Sequence, residues 1–282
     1  MSKNIQDILK ELNYGDFAGA DDETRIVKRA RDILDNVYSV FDEDGKPLVS
    51  NKIKGVHVVI WNPKGGVAKS ETTIQVGVPY RYLVIDVDQT GATADRINKG
   101  ILELKGDKDI GRYHSATYLK DDQNFSLKHP ALKKVNIWID TPGTTHKRSL
   151  ELVKEADVVI VPLQPSKTDI VTTMTFMSKV LPSISTDVKF IFQFSRVKNK
   201  SYHKRWVTKG IELINKLVEN HTFEFHIMRD NDVMNEMNSE DQLIREHAHP
   251  NGYDKPSVVA YKFHVEMTDI LHEKIQRLGG GC

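Results

Sequence analysis

The chain has 282 residues, 39% of them apolar and 28% charged, and its 40 basic residues against 39 acidic ones leave a net charge of +1. That length buries a full core as one large domain or two small ones, while the near-neutral balance excludes a global attraction to nucleic acid, so that such binding must rest on a local patch. The single cysteine, Cys282, excludes an internal disulfide and a cysteine-ligated cluster within one chain.

In chain order, residues 1–50 carry two helix-period patterns without strand signals. Ile5, Ile8, Leu9 and Leu12 form one face, and Ile26, Ala30, Ile33, Leu34, Val37 and Phe41 a second, longer one. The start, MSKNIQDILKELN, interleaves polar residues where a signal peptide needs an apolar block, and no run of about 18 apolar residues follows. A cytoplasmic location is therefore expected. The turn signal Asp42–Pro47 separates this helical extension from a domain expected over 55–278, and the GGGC ending, 279–282, reads as a flexible tail.

From Val56 onward, short apolar runs alternate with helical stretches. The expected strands are Val56–Trp61, Tyr82–Val87, Val135–Asp140, Val158–Leu163, Lys189–Ser195 and Phe223–Met228. Apolar runs of this kind fit strands covered on both faces, so the fold class is α/β, a doubly wound, mostly parallel sheet. In the last helix, Val259, Phe263, Met267, Ile270, Leu271, Lys274 and Leu278 return to one face, read as packing on the sheet. The polar stretch between Ile101 and Lys134 yields no ordered pattern.

The segment after the first strand, WNPKGGVAKSETT, carries the chemistry. A strand, a glycine turn and a helix aim backbone N–H groups at one point, which suits phosphate. Against G-x-x-x-x-G-K-[ST], aligned on Lys69 and Ser70, the glycine positions hold Pro63 and Ala68. The spacing K-G-G-x-x-K-[ST] fits instead, with Lys64, Gly65, Gly66, Lys69 and Ser70. A chance Gly-Gly turn between surface lysines is the bland alternative. Three further motifs follow in order, each at the carboxyl end of an expected strand: VIDVDQTGATAD from Val84, IWIDTPG from Ile137 and ADVVIVPLQPSKTDI from Ala156.

Together these motifs resemble the deviant Walker A ATPases of the ParA/MinD family, closest to the compact plasmid-type ParA partition proteins, over roughly Val56–Leu278. The resemblance implies a P-loop fold in which ATP is sandwiched between two protomers. It implies that Lys69 contacts the β and γ phosphates, that Ser70 ligates Mg2+, and that Gly65, Gly66, Val67, Ala68 and Glu71 complete the loop around ATP. Lys64 would be the signature lysine crossing to the partner's ATP. Asp88 would position the attacking water, Asp86 and Asp140 would act on the magnesium shell, and adenine would sit near Ser195 and Arg196, with Met228–Asp230 as a second border.

Three features depart from the pattern. Ala68 stands where a glycine precedes the phosphate lysine and costs on the order of 1 kcal/mol if that position needs a positive φ. Glu71 replaces the usual threonine and puts a carboxylate near the helix N-terminus, where it competes with phosphate. The first helix is interrupted early, by Gly77 and Pro79. A slow ATPase, or a nucleotide-binding scaffold with little turnover, is compatible with all three.

The run Ser195–Gly210 holds Arg196, Lys198, Lys200, Lys204, Arg205 and Lys209, interleaved with Tyr202 and Trp206 and without an acidic residue. Composition alone fits a solvated face equally well. The resemblance implies a role: an ATP-dependent homodimer binding nonspecific DNA through Lys198, Lys200, Lys204, Arg205 and Lys209, with a centromere-binding ParB-like adaptor stimulating hydrolysis on the nucleoid. A MinD-like membrane switch is the alternative, but Thr268–Leu278 is too charged for a membrane-binding helix, and no stable membrane association is expected. His247 and His249 are read as surface residues beside a turn rather than as a metal pair.

Overall fold

The computed structural model describes residues 55–80, 82–103, 116–119, 125–229 and 266–280. The helical extension expected over 1–50, the pair His247 and His249, and the positions Val259, Phe263, Asp230 and Cys282 lie outside them.

Seven strands form one sheet: β1 His57–Ile60, β2 Leu83–Asp86, β3 Thr117–Tyr118, β4 Ile137–Asp140, β5 Val158–Leu163, β6 Lys189–Val197 and β7 Phe223–Arg229. Between and after them lie α1 Lys69–Thr72, α2 Ala92–Glu103, α3 Lys147–Glu155, α4 Lys167–Val180, α5 Ser201–Leu217 and α6 Glu266–Gly279. Every strand pairing is parallel, in the order β3-β2-β4-β1-β5-β6-β7. Six strands fall on the expected runs. The seventh, β3, has only two residues and comes from the stretch that showed no pattern.

The central strand runs β1, β2, β4 and β5 are mostly apolar because both faces are covered, whereas β7 at the edge alternates, with Ile227 exposed. On one face Val59, Ile85, Ile139, Val161, Phe192 and Phe194 join one core with Leu152 of α3, Met177 of α4 and Ile214 of α5. On the other, Val58, Val84, Trp138, Ile160 and Ile191 join a second core with Ile97 of α2 and Leu271 and Ile275 of α6. The sheet is thus doubly wound, and the parallel crossovers leave all strand carboxyl ends on one edge.

The order reverses at β1. The chain runs outward through β2 and β3, returns to place β4 beside β1, then crosses to β5. At such a reversal the loops leaving adjacent strands diverge and open a crevice at the carboxyl ends. Ile60 registers with Asp140, and Asp140 with Asp86, so the tips of β1, β4 and β2 stand in one row.

The early interruption of the first helix is real. After four α-helical residues the chain passes into a π segment, Thr73–Gly77, just before Pro79. Trp138 Nε1 donates to Thr73 Oγ1 at 2.8 Å, which ties this segment to β4. In α6 the expected face is corrected by one position. Leu271 and Ile275 are fully buried while Ile270 is 47% exposed, because the turn packs around Thr268, Leu271 and Ile275. Lys274 does lay its stem inward, donating to the carbonyl of Phe225. The helix runs one residue past the expected boundary, with Gly279 packed on Val56.

Candidate functional site

The loop from Trp61 to Ser70 leaves the central strand and is held from several sides. Asn62, fully buried, donates through Nδ2 to the Pro162 carbonyl at 2.7 Å and to Thr173 Oγ1 at 3.1 Å, and its Oδ1 accepts from Lys64 N at 2.9 Å. Gln164 Nε2 donates to the Gly66 carbonyl at 2.6 Å. Behind the loop, a Cβ on Gly143 would lie 2.8 Å from the Cα of Gly65, so only glycine lets these two backbones approach. Val67 is buried as the plug of the loop, whereas Gly65 and Gly66 are exposed with their backbone toward solvent. Gly66 and Ala68 both adopt left-handed backbone, with φ of 74° and 72°. The glycine position filled by alanine is therefore strained, as its sequence suggested.

Lys69 is buried, and its Nζ donates to the carbonyls of Asn62 at 3.1 Å and Lys64 at 3.0 Å. Burial lowers its pKa, opposed by the negative charges of Asp140 and Asp88. The ammonium thus lies inside the loop it serves. Lys64, by contrast, pairs with Asp169 on α4 of the same chain.

The three aspartates divide into different roles. Asp86 is fully buried, and its two oxygens accept from the backbone N–H of Asp88 and of Ala94, each at 2.9 Å. It braces the turn into α2, and burial raises its pKa. Asp88 lies at the rim, where its Oδ1 accepts from Thr90 N at 3.1 Å and Thr90 Oγ1 at 2.9 Å. Asp140 is 1% exposed; Thr93 Oγ1 donates to its Oδ2 at 2.7 Å, while Oδ1 is buried with no hydrogen-bond partner. Burial pushes its carboxyl up to about 7, with Asp86 adding to the rise and Thr93, Ser70 and Lys69 opposing it.

This arrangement fits a divalent cation. An orphaned buried carboxylate oxygen beside a serine hydroxyl is the oxygen donor set that Mg2+ takes, with its remaining positions left to water and phosphate. Asp140 and Ser70 would hold the ion, and Asp86 would act only through its bracing of the turn. The cation would supply charge neutralisation at phosphate oxygens.

Glu71 is half-buried in the first turn of α1, and its Oε2 lies 3.3 Å from Arg96 NH1 on α2. Its pKa is raised by burial, against the positive charge of Arg96. Ser195 is buried and accepts from Gln193 Nε2 at 2.9 Å; the same amide donates to Thr72 Oγ1 at 2.8 Å, which in turn donates to the Ala68 carbonyl. A polar chain thus runs from β6 into the loop. Arg196, with φ of 55°, is exposed at the end of β6.

The basic run covers the end of β6 and the first half of α5. Lys198, Lys200, Lys204, Arg205 and Lys209 are all exposed, Lys209 paired with Glu212 at 2.8 Å. Sequence reasoning missed Asn62, Gln164, Gly143, Gln193 and Arg96 as parts of the site. Asn62, a polar residue directly after a buried apolar strand, was the one carrying a local signal.

Fold and site define the class: a doubly wound, parallel α/β protein with a glycine-bearing loop of the phosphate-binding kind at the tip of its central strand. It is similar in fold to solved structures of MinD, McdA and a plasmid partition protein. MinD of Aquifex aeolicus is 17% identical, with 78% of this chain and 97% of that chain covered and a TM-score of 0.49. The ATP complex of a point variant of McdA from Cyanothece is 14% identical, covering 81% and 98%, with a TM-score of 0.49. A putative plasmid partition protein of Borrelia burgdorferi B31, bound to AMPPNP, is 16% identical, covering 78% and 100%, with a TM-score of 0.46. No protein-family model matches the chain, and no curated protein does.

Proposed function

We propose that the chain is an ATP-dependent dimerising switch of the partition and positioning kind, hydrolysing ATP slowly. The observation that carries this reading is the convergence of the buried Lys69 ammonium, Ser70 and the orphaned Asp140 oxygen at the tip of β1 and β4. Positive charge, a hydroxyl and a carboxylate at one loop are what a magnesium-bound triphosphate requires. Val67 is buried beneath the loop, and Asp88 at the rim would orient a water.

In the ATP state two protomers pair, with Lys64 transferred from Asp169 to the partner's nucleotide. The pair then displays Lys198, Lys200, Lys204, Arg205 and Lys209 twice. Because counterion release adds over phosphate contacts, a dimer binds nonspecific DNA far better than a monomer and loses that binding steeply with salt. A ParB-like adaptor on the cargo would stimulate hydrolysis and release. Among the described residues no helix is long and apolar enough to cross a membrane.

The test is binding of a random-sequence duplex at two salt concentrations, without nucleotide, with ADP, and with ATP plus Mg2+, comparing wild type with Lys64→Ala and Lys69→Ala. Salt-sensitive binding confined to wild type with ATP supports the cycle. Absence of binding in every nucleotide state overturns the DNA output.

A further inference from the structure

Gln193 lies in the middle of β6, fully buried between the apolar residues Phe192 and Phe194. A glutamine inside a buried strand costs free energy unless its amide finds partners. Register shows where it finds them. Gln193 stands beside Pro162 of β5, whose carbonyl accepts from Asn62 at the start of the phosphate loop, so the glutamine is level with that loop.

Its amide nitrogen donates to Ser195 Oγ at 2.9 Å and to Thr72 Oγ1 at 2.8 Å. Thr72 passes its own hydroxyl proton to the Ala68 carbonyl at 2.9 Å, and Thr72 N donates to the same oxygen at 3.0 Å. A hydroxyl has one proton to give, so Thr72 must receive from Gln193, which fixes the amide with its nitrogen toward the loop. Gln193 Oε1 is left buried with no hydrogen-bond partner. Core stability alone would not select this residue, since an apolar side chain of similar size avoids the stranded oxygen. The carbonyl that the relay reaches belongs to Ala68, the residue held at a φ of 72°. In a trans peptide the N–H points away from the C=O, so holding the Ala68 oxygen also sets the direction of the Lys69 N–H. Trp138 Nε1 donates to Thr73 Oγ1, so the two adjacent threonines are fastened to the sheet from β6 and from β4.

We propose that Gln193 is a positioning residue of the phosphate loop: acting through Thr72, it holds the strained Ala68 peptide in the orientation that MgATP binding requires. The inference rests on the reading of the loop as a nucleotide site and adds a residue from a distant strand, outside the loop's motifs. Alanine does not favour a φ of 72° by itself, so the loop needs a constraint from outside, and glycine at the same position would need less of it.

The test is titration calorimetry of MgATP on the full chain, comparing wild type with Lys69→Ala, Gln193→Met, Thr72→Val and Thr72→Ser, and repeating Gln193→Met in the Thr72→Val and Ala68→Gly backgrounds. Methionine keeps the length of glutamine without its donors. Gln193→Met should weaken binding by about tenfold, the size of a buried hydrogen-bond partner lost. Thr72→Val should do the same, and Thr72→Ser, which keeps the hydroxyl, should not. In the Thr72→Val background Gln193→Met should cost nothing further, and in Ala68→Gly its effect should shrink to about threefold or less. Binding by Gln193→Met equal to wild type overturns the proposal. An equal loss in all three backgrounds does so too, because it assigns the glutamine to core packing. Should Gln193→Met not fold, Thr72→Val decides, and wild-type binding in that variant overturns the relay. Binding that survives Lys69→Ala undiminished sinks the nucleotide-loop reading instead, which separates the two failures.

Discussion

Lys64, on the phosphate loop, and Asp169, on α4, form an ion pair within one chain. Asp169 is almost fully buried and Lys64 about one-third exposed, so the pair stores an asymmetry. Removing the lysine strands a buried carboxylate, whereas neutralising the aspartate frees a mobile cation. Lys64→Ala should therefore destabilise the chain by about 2 kcal/mol, below the cost for a fully buried pair because Lys64 is partly solvated. Asp169→Asn should instead favour ATP-dependent dimerisation, by about tenfold in apparent dimer affinity if the pair competes with the trans contact. Urea unfolding and sedimentation with MgATP check the two halves; an unchanged dimer constant in Asp169→Asn would show that Lys64 is not restrained by the pair.

Ala68 holds a φ of 72°, a region in which an L side chain is strained and glycine is not. Ala68→Gly should raise stability by up to about 1 kcal/mol, reduced by the greater freedom glycine has in the unfolded chain. The expected gain in melting temperature is at most about 2–4 °C for a chain of this size. A drop on thermal melting would mean that the alanine methyl makes packing contacts that outweigh the strain.

Asp140 is buried with one orphaned oxygen and a carboxyl pushed up to about 7. Asparagine keeps its shape without the charge. Asp140→Asn should leave the nucleotide-free melting temperature unchanged or higher, since an unfavourably buried anion is removed. The same variant should lose the extra thermal stabilisation that Mg2+ adds to ATP. Melting curves with ATP, with and without Mg2+, read this directly, and a retained magnesium increment would remove Asp140 from the metal site.

His226 is 4% exposed on β7, and burial, reinforced by the positive charge of Lys274, lowers its pKa to about 3. The unfolded chain protonates this histidine near 6.5, so below that pH the unfolded state binds more protons than the folded one. Stability is unaffected above about pH 7 and falls as the pH drops from about 6.5 toward about 3. The loss attributable to His226 at about pH 5 is about 2 kcal/mol. Urea midpoints of wild type and His226→Gln, taken at about pH 7.5 and about pH 5, should converge at the lower pH; parallel losses would assign the acid sensitivity elsewhere.

How much of this was legible in the sequence differs by element. Strands buried on both faces are nearly contiguous apolar runs, so β1, β2, β4, β5 and β6 announced themselves; β7, at the sheet edge, showed through its aromatic and apolar residues, and the class followed from the alternation of strands with helices. β3 did not, because two residues have no period. On α6 the sequence reading put Ile270 on the apolar face and left out Ile275; contact with the sheet buries Ile275 and leaves Ile270 exposed.

The loop shows the same division. Its resemblance to a known loop pattern marked Lys64, Lys69 and Ser70 as phosphate-site candidates, and the identity of Ala68 pointed to strain if its φ were positive, since those properties belong to local chain geometry. Which carboxylate stays available was decided by folding. Asp86 and Asp140 look alike in sequence, each ending an apolar strand, yet α2 and the turn before it occupy both oxygens of one and leave an oxygen of the other bare. Lys64 with Asp169, Glu71 with Arg96 and Gly65 with Gly143 are likewise meetings of distant segments. Hydrogen bonds and ion pairs depend on where side chains end in space, and that is set by the packing of the sheet and its helices, which sequence spacing does not carry.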